Sequence, residues 1–307
     1  MRVAFLGSDR WSVPSLDALA GSPHEVALVV TRQPKPAGRG NVLTPTPVAD
    51  AARGLGFPLA EVASIRREEG LELLRGVRPG ALVVVAYGEI LPPEILDLPS
   101  VAPVNVHLSL LPELRGAAPV QHAILRGLAA TGVTTMLMDE GLDTGPILLQ
   151  AEEAIDPEDD ARSLGDRLAA LGGRLLVETL TRLEEGTLEA RPQDHAGATV
   201  APKLGPQDRI VDWNEPAEAI GRRVRALAPE PGASTRFRGK LLKVFRAGVR
   251  EGDGAPGRVA LVGREGFAVG TGDGLLAPEE VAPEGKAHMS GGEFVRGYRP
   301  EPGEALQ

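Results

Sequence analysis

Leu82-Val83-Val84-Val85-Ala86 is the stretch that decides the fold. It is an unbroken apolar run rich in β-branched residues, with no polar face, and such a strand belongs in the middle of a parallel sheet covered on both sides. Upstream of it, residues 3–6 form a compact apolar run ending at Gly7. Residues 13–20 read as a helix with Ser12 as its cap and Gly21 as its stop, and residues 26–30 as a second buried strand. Residues 48–53 read as a helix closed by Gly54, and residues 57–62 as a short strand. Downstream come a strand at 104–108, a helix at 119–128, strands at 133–138 and 147–155, and a long amphipathic helix over 164–184. This alternation predicts an α/β domain over residues 1–190.

Beyond residue 190 the texture changes. Residues 191–206 contain proline and glycine and read as a linker. A helix is expected over 215–227 with Asn214 as its cap. After Pro231, short strand-like pieces separated by turn residues predict a small all-β barrel within residues 207–307.

The totals restrict the function classes. The chain has 307 residues, 42% of them hydrophobic, and no cysteine, which removes disulfides, thiolate metal sites and cysteine nucleophiles. The opening MRVAFLGSDR is too short and too polar to be a signal peptide, and no apolar run has the roughly 18 residues needed to span a bilayer. A cytoplasmic location is expected. The net charge is −9, but it is uneven: residues 1–200 carry −10, residues 201–307 carry +1, and residues 209–258 carry +5. A local basic surface can steer a polyanion on an acidic chain, although charge alone favours an ordinary solvated face. After the first strand the chain reads Gly7-Ser8-Asp9-Arg10-Trp11, without the glycine-rich turn of a dinucleotide site.

The chemistry-bearing stretch is Val104-Asn105-Val106-His107-Leu108-Ser109-Leu110-Leu111-Pro112. In a strand, residues two apart share a face, so Asn105, His107 and Ser109 project together. An amide and an imidazole aimed at one point can stabilise an oxyanion and handle a proton. The spacing by itself fits satisfied polar groups at a strand end at least as well. Asp143 lies between glycines in Gly141-Leu142-Asp143-Thr144-Gly145, where it could orient His107 or merely cap its own turn.

Taken together, Asn105-x-His107-x-Ser109-Leu110-Leu111-Pro112, Arg115-Gly116-x-x-Pro119 and Gly141-Leu142-Asp143-Thr144-Gly145 resemble the signature of the folate-dependent formyltransferases. The resemblance implies a Rossmann-like formyltransferase domain followed by an OB-like barrel. It also implies a catalytic trio of Asn105, His107 and Asp143, and 10-formyltetrahydrofolate as co-substrate with no metal. The folate site would be lined by Tyr87, Gly88, Ile90, Leu91 and Pro92 and by Ser109, Leu110, Leu111 and Pro112. The barrel, and a Pro-Ala-Gly-Arg-Gly loop at residues 36–40, resemble the branch of the family that formylates initiator methionyl-tRNA. By that resemblance Arg39 meets the acceptor end, and the basic side chains Arg222, Arg223, Arg236, Arg238, Lys240 and Lys243 are expected to follow phosphates. A monomer is expected. The alternative is the branch acting on a nucleotide-linked amino sugar. The chain departs from the pattern at Leu108, where glycine is usual, at Asn41-Val42-Leu43, where lysines are common, and at residues 228–232, which lack a tryptophan.

Overall fold

In the computed structural model, which describes residues 1–37 and 40–307, the run expected at 82–86 supplies the middle strand of a seven-stranded sheet, which covers residues 81–85 and leaves Ala86 outside it at φ +42°. The chain packs as two units. Unit 1 comprises residues 1–119, 130–154 and 165–202; unit 2 comprises 120–129, 155–164 and 203–307.

Unit 1 begins with β1 (Arg2–Gly7), α1 (Val13–Ala20) and β2 (Glu25–Arg32), then a hairpin of β3 (Lys35–Ala37) and β4 (Val42–Thr44), α2 (Pro47–Leu55) and β5 (Leu59–Val62). It continues through α3 (Glu68–Val77), β6 (Ala81–Val85), α4 (Pro93–Leu96) and β7 (Ala102–His107). After α5 (Pro119–Leu125), all but its first residue in unit 2, come β8 (Ala130–Leu137), β9 (Ile147–Ala154) and the long α6 (Ala161–Glu184), whose first turn is also in unit 2. The sheet order is β5-β2-β1-β6-β7-β8-β9. The strands from β5 to β7 run parallel, and β8 and β9 pair antiparallel with their neighbours. All five β6 residues are buried, as a strand apolar on both faces requires.

Several local expectations are adjusted. Ser12 precedes α1, but its hydroxyl donates to the carbonyl of Val85 (2.6 Å) instead of capping. The helix at 47–55 is capped by Thr46 and ends on Gly56, not Gly54. The segment expected as a linker is folded onto unit 1. Arg191 exchanges backbone hydrogen bonds with Ile147, and residues 199–201 pair with residues 112–118. Proline and glycine there shape a strap whose backbone groups are satisfied by a loop, a pairing that composition does not reveal.

Unit 2 is built on α7 (Ala217–Leu227), β10 (Ala233–Phe237), β11 (Lys240–Arg250), β12 (Val259–Gly263), β13 (Gly266–Gly270), β14 (Leu275–Pro283), β15 (Met289–Ser290) and α8 (Gly291–Tyr298). The sheet order is β10-β11-β14-β13-β12, with β15 on β14. The C-terminal tail closes it into a barrel. Arg236 and Gln307 exchange backbone hydrogen bonds on one side, and Leu306 donates to Gly257 and Val259 to Glu304 on the other. Asn214 does not cap α7; its amide is taken by Asp212, and the helix starts at Ala217 behind Pro216. The 120–129 segment is tied to α7 by Arg222, whose Nε donates to the Leu125 carbonyl (3.2 Å). Among the described residues, no helix is long and apolar enough to cross a membrane.

Candidate active site

β7 ends where the candidate chemistry begins. Val104 and Val106 are packed into the core, so Asn105 and His107 leave the strand on the other face. The His107 side chain is almost enclosed, and its Nε2 stands 3.0 Å from the carbonyl oxygen of Leu114. A carbonyl only accepts, so Nε2 carries the hydrogen and Nδ1 is the nitrogen left to exchange a proton. Nδ1 faces Asp143 Oδ2 at 3.7 Å. The other carboxylate oxygen of Asp143 lies 3.5 Å from Asn105 Nδ2. The three candidates, drawn from β7 and from the β8–β9 loop, therefore meet at one place beyond the end of β7, with Asp143 only 11% exposed.

Asp143 is held from several directions. Its Oδ2 accepts the backbone N–H of Gly116 at 2.8 Å. Its backbone has φ +54°, a left-handed conformation that costs a non-glycine residue energy unless its surroundings enforce it. The turn that the sequence allowed at Asp143 is made instead by Asp139, which accepts from Gly141 N–H (3.0 Å) and the Thr144 hydroxyl (2.7 Å). Gly116 must be glycine twice over. Its φ is +121°, and a Cβ there would stand 2.7 Å from the Ala201 carbonyl oxygen of the strap.

The Ser109-Leu110-Leu111-Pro112 segment is laced to its neighbours. The Ser109 hydroxyl is fully buried and donates to the Glu113 carbonyl (2.6 Å). Thr134 Oγ1 donates to the Ser109 carbonyl (2.7 Å) and accepts the Leu111 N–H (3.0 Å), while Gln150 Nε2 donates to the Leu111 carbonyl (2.9 Å). The Ser109 hydroxyl and the Leu111 backbone therefore serve this loop. Leu110, Leu111 and Pro112 do line a hollow of about 540 Å³ together with Glu113, Gln150, Glu152, Asp194 and Gly197, but none of the three convergent residues lines it.

The loop after β6 divides in the same way. The Tyr87 and Leu91 side chains are buried in the core, whereas Gly88 and Ile90 are exposed and Pro92 is half-buried. Burial, with the Glu89 carboxylate adding to it, pushes the Tyr87 phenol well above its ordinary range, so it stays protonated. Ser64 and the Ile65 N–H bind the Glu89 carboxylate and fix the loop (2.8 and 3.2 Å). Ile90 and Leu142, beside the β6 end and Asp143 respectively, are large apolar side chains left 67% and 61% exposed. Arg39 lies outside the described residues.

Residues 1–180 match the formyl transferase family, and residues 203–299 match the formyl transferase C-terminal domain. The chain belongs to the formyl transferase family. A methionyl-tRNA formyltransferase of Thermus thermophilus is 47% identical over 306 residues, covering 100% of this chain and 99% of that protein. Among solved structures, HypX from Aquifex aeolicus, in complex with tetrahydrofolic acid, superposes with a TM-score of 0.67 at 20% identity. It covers 97% of this formyl transferase, which spans about half (48%) of the HypX chain. An N-formyltransferase from Helicobacter canadensis, in complex with folinic acid and dTDP-3-aminofucose, gives 0.66 at 17% identity, covering 90% of this chain and 98% of that one. These two likenesses speak for the fold alone.

In unit 2 of this formyl transferase the basic residues fall into two groups. Arg222 holds Leu125, and Arg223 binds the Ile210 carbonyl and Glu215. Arg238 is clamped by Glu304 and by the Tyr298 and Arg299 carbonyls, and lies over the Phe237 ring at 4.7 Å. These three arginines have structural partners. Arg236 reaches only the Gly239 carbonyl of its own turn, and Lys240 and Lys243 make no side-chain bond among the described residues. Arg236 and Lys243 share one face of the β10–β11 hairpin, since Arg236 pairs with Leu241 and Ser234 with Lys243.

The sequence reading assigned no role to Leu114, Thr134, Gln150 or Gln193, and none to Arg115 beyond its place in the motif. Their contacts to the site span between 7 and 78 residues of chain and carry no periodic or compositional mark.

Proposed function

We propose that this formyl transferase moves the formyl group of 10-formyltetrahydrofolate onto the α-amine of methionyl initiator tRNA, as a cytoplasmic monomer. The observation that carries the reading is the meeting of Asn105, His107 and Asp143 beyond β7, in a chain alike over its whole length to methionyl-tRNA formyltransferases. The exposed Ile90 and Leu142 suit a flat, partly apolar folate.

The reaction forms a C–N bond to the amine, breaks the formyl C–N10 bond, and moves one proton from the amine to N10. An α-amine titrates near 7.7–8.0, and esterification of its carboxyl lowers that, so no strong base is needed to free the nucleophile. Attack creates a tetrahedral carbon bearing an oxyanion and an ammonium. One hydrogen of Asn105 Nδ2 points towards Asp143, and the second is available to the oxyanion. His107 Nδ1 takes the ammonium proton and returns it to the leaving N10, while Leu114 keeps the other ring hydrogen fixed. The carboxylate of Asp143 steadies the imidazolium in between.

The test is formyl transfer from 10-formyltetrahydrofolate to methionyl initiator tRNA and, in parallel, to a nucleotide-linked amino sugar. Product is expected on the tRNA; product only on the sugar would overturn the assignment. The basic residues add a second expectation. Log affinity for the tRNA should fall linearly with log salt, and Lys243→Ala should make the slope shallower by about 1, the release of one phosphate contact. Arg238→Ala should loosen the barrel, because its guanidinium holds Glu304. A salt-independent affinity would count against phosphate recognition.

A further inference from the structure

We propose that Gln193, from the strap rather than from the catalytic motifs, is the positioning residue that sets Asp143, and that Arg115 orients it. Gln193 is 6% exposed, and its amide is used at both ends. Oε1 accepts from Arg115 Nε (3.1 Å) and Nη2 (2.6 Å). A guanidinium only donates, so it selects the oxygen and turns the amide nitrogen the other way. Nε2 then donates both its hydrogens to the backbone carbonyls of Asp143 (2.9 Å) and Gly145 (2.7 Å). These are the carbonyls flanking the step at which the chain leaves the left-handed conformation of Asp143.

Three features make this more than loop packing. One acceptor is the carbonyl of the residue whose carboxylate faces His107 and Asn105 and the other lies two residues on in the same loop, so a shift of the clamp is a shift of Oδ1 and Oδ2. Arg115 is the neighbour of Gly116, whose N–H binds the same carboxylate. Arg115 thus bears on Asp143 by two routes, through its side chain and Gln193 and through the peptide bond that joins it to Gly116. The strap is itself fixed at both ends of this span, by the Ile147–Arg191 exchange and by the pairing of Thr199 and Ala201 with Pro112, Arg115 and Ala118. Gln193 therefore reads from a rigid frame, which is what placing a carboxylate to a fraction of an ångström requires.

The inference rests on the reading of Asp143 as part of the active site, and a double-mutant cycle separates the two. Gln193→Glu keeps an oxygen for Arg115 but loses both donated hydrogens and turns a carboxylate oxygen towards two carbonyls. We expect it to lower kcat about 10- to 100-fold. KM for folate and for tRNA should stay within about twofold, and the thermal midpoint within a few degrees. In an Asp143→Ala background the same substitution should change kcat less than about twofold, because there is no longer a carboxylate to misplace. Gln193→Met, which has no donor and no charge, should behave like Gln193→Glu and covers the case in which the buried carboxylate unfolds the strap. Near-normal kcat in both Gln193 variants while Asp143→Ala collapses would overturn the proposal. So would a Gln193 effect that multiplies in full on Asp143→Ala, since that is the mark of general loosening. Wild-type kcat in Asp143→Ala alone would overturn the underlying reading of the site, and the positioning role with it.

Discussion

Asn105→Ala lowers kcat for formyl transfer by about 10²–10³ and leaves KM for the folate almost unchanged. The magnitude is that of removing one well-placed donor from an oxyanion site. The split follows from when the interaction forms. In the ground state the formyl oxygen is a neutral amide-like carbonyl and the Asn105 amide gains little from it. Once the carbon is tetrahedral, the charge on oxygen makes the same N–H worth several times more. Loss of Asn105 also frees one carboxylate oxygen of Asp143, but Gly116 N–H still holds the other and Gln193 holds the loop's carbonyls, so the loop keeps its place. Steady-state kinetics at saturating tRNA, with folate binding measured separately, checks both halves. Normal turnover in the variant would remove Asn105 from the mechanism.

Phe294→Ala destabilises unit 2 by about 3–5 kcal/mol, the range for deleting a fully buried aromatic ring. Phe294 lies on α8, is 1% exposed and is the hub of an aromatic cluster. It meets Phe237 edge-on at 5.4 Å and stacks against Phe267 (5.1 Å) and Tyr298 (4.7 Å). Its removal leaves three rings facing a void, and α8 loses its grip on the barrel strands that carry Phe237 and Phe267. The chain's two tryptophans make the effect readable, because Trp213 is buried in the unit 2 core and Trp11 belongs to unit 1. In a Trp11→Phe background, the urea midpoint reported by Trp213 fluorescence should fall in proportion to the lost stability. An unchanged midpoint would mean that the cluster contributes no more than surface contact.

What the sequence disclosed and what it hid have physical reasons. A strand with no polar face has only one place to go, so the central strand was legible from the five letters at 82–86, one residue beyond the observed 81–85. The two-residue period of a strand likewise put Asn105 and His107 on one side. The antiparallel β8–β9 pair was also within reach. Residues 138–146 are too few for the crossover that parallel strands need, and that arithmetic separates a hairpin from a crossover unit. The antiparallel β7–β8 pair was not, because its connection includes a helix and is long enough for either direction. Charge did not show which cations have partners inside the fold. Arg222, Arg223 and Arg238 carry the same charge as Lys240 and Lys243, yet carbonyls and carboxylates take their guanidiniums. Gln193 was hidden for the opposite reason. A lone amide in a stretch of prolines and glycines has nothing to mark it until the chain brings Arg115 and Asp143 alongside.

The interleaving of the two units along the chain bears on how this enzyme can be re-engineered. The polypeptide changes allegiance at 119/120, 129/130, 154/155, 164/165 and 202/203. A chimera that swaps only the part after residue 202 would graft a foreign barrel onto the host's own 120–129 and 155–164 segments. Arg222 would then be missing from beneath the Leu125 carbonyl unless the donor supplies an equivalent. A working exchange has to transplant the two inserts together with the barrel, as three spliced pieces rather than one.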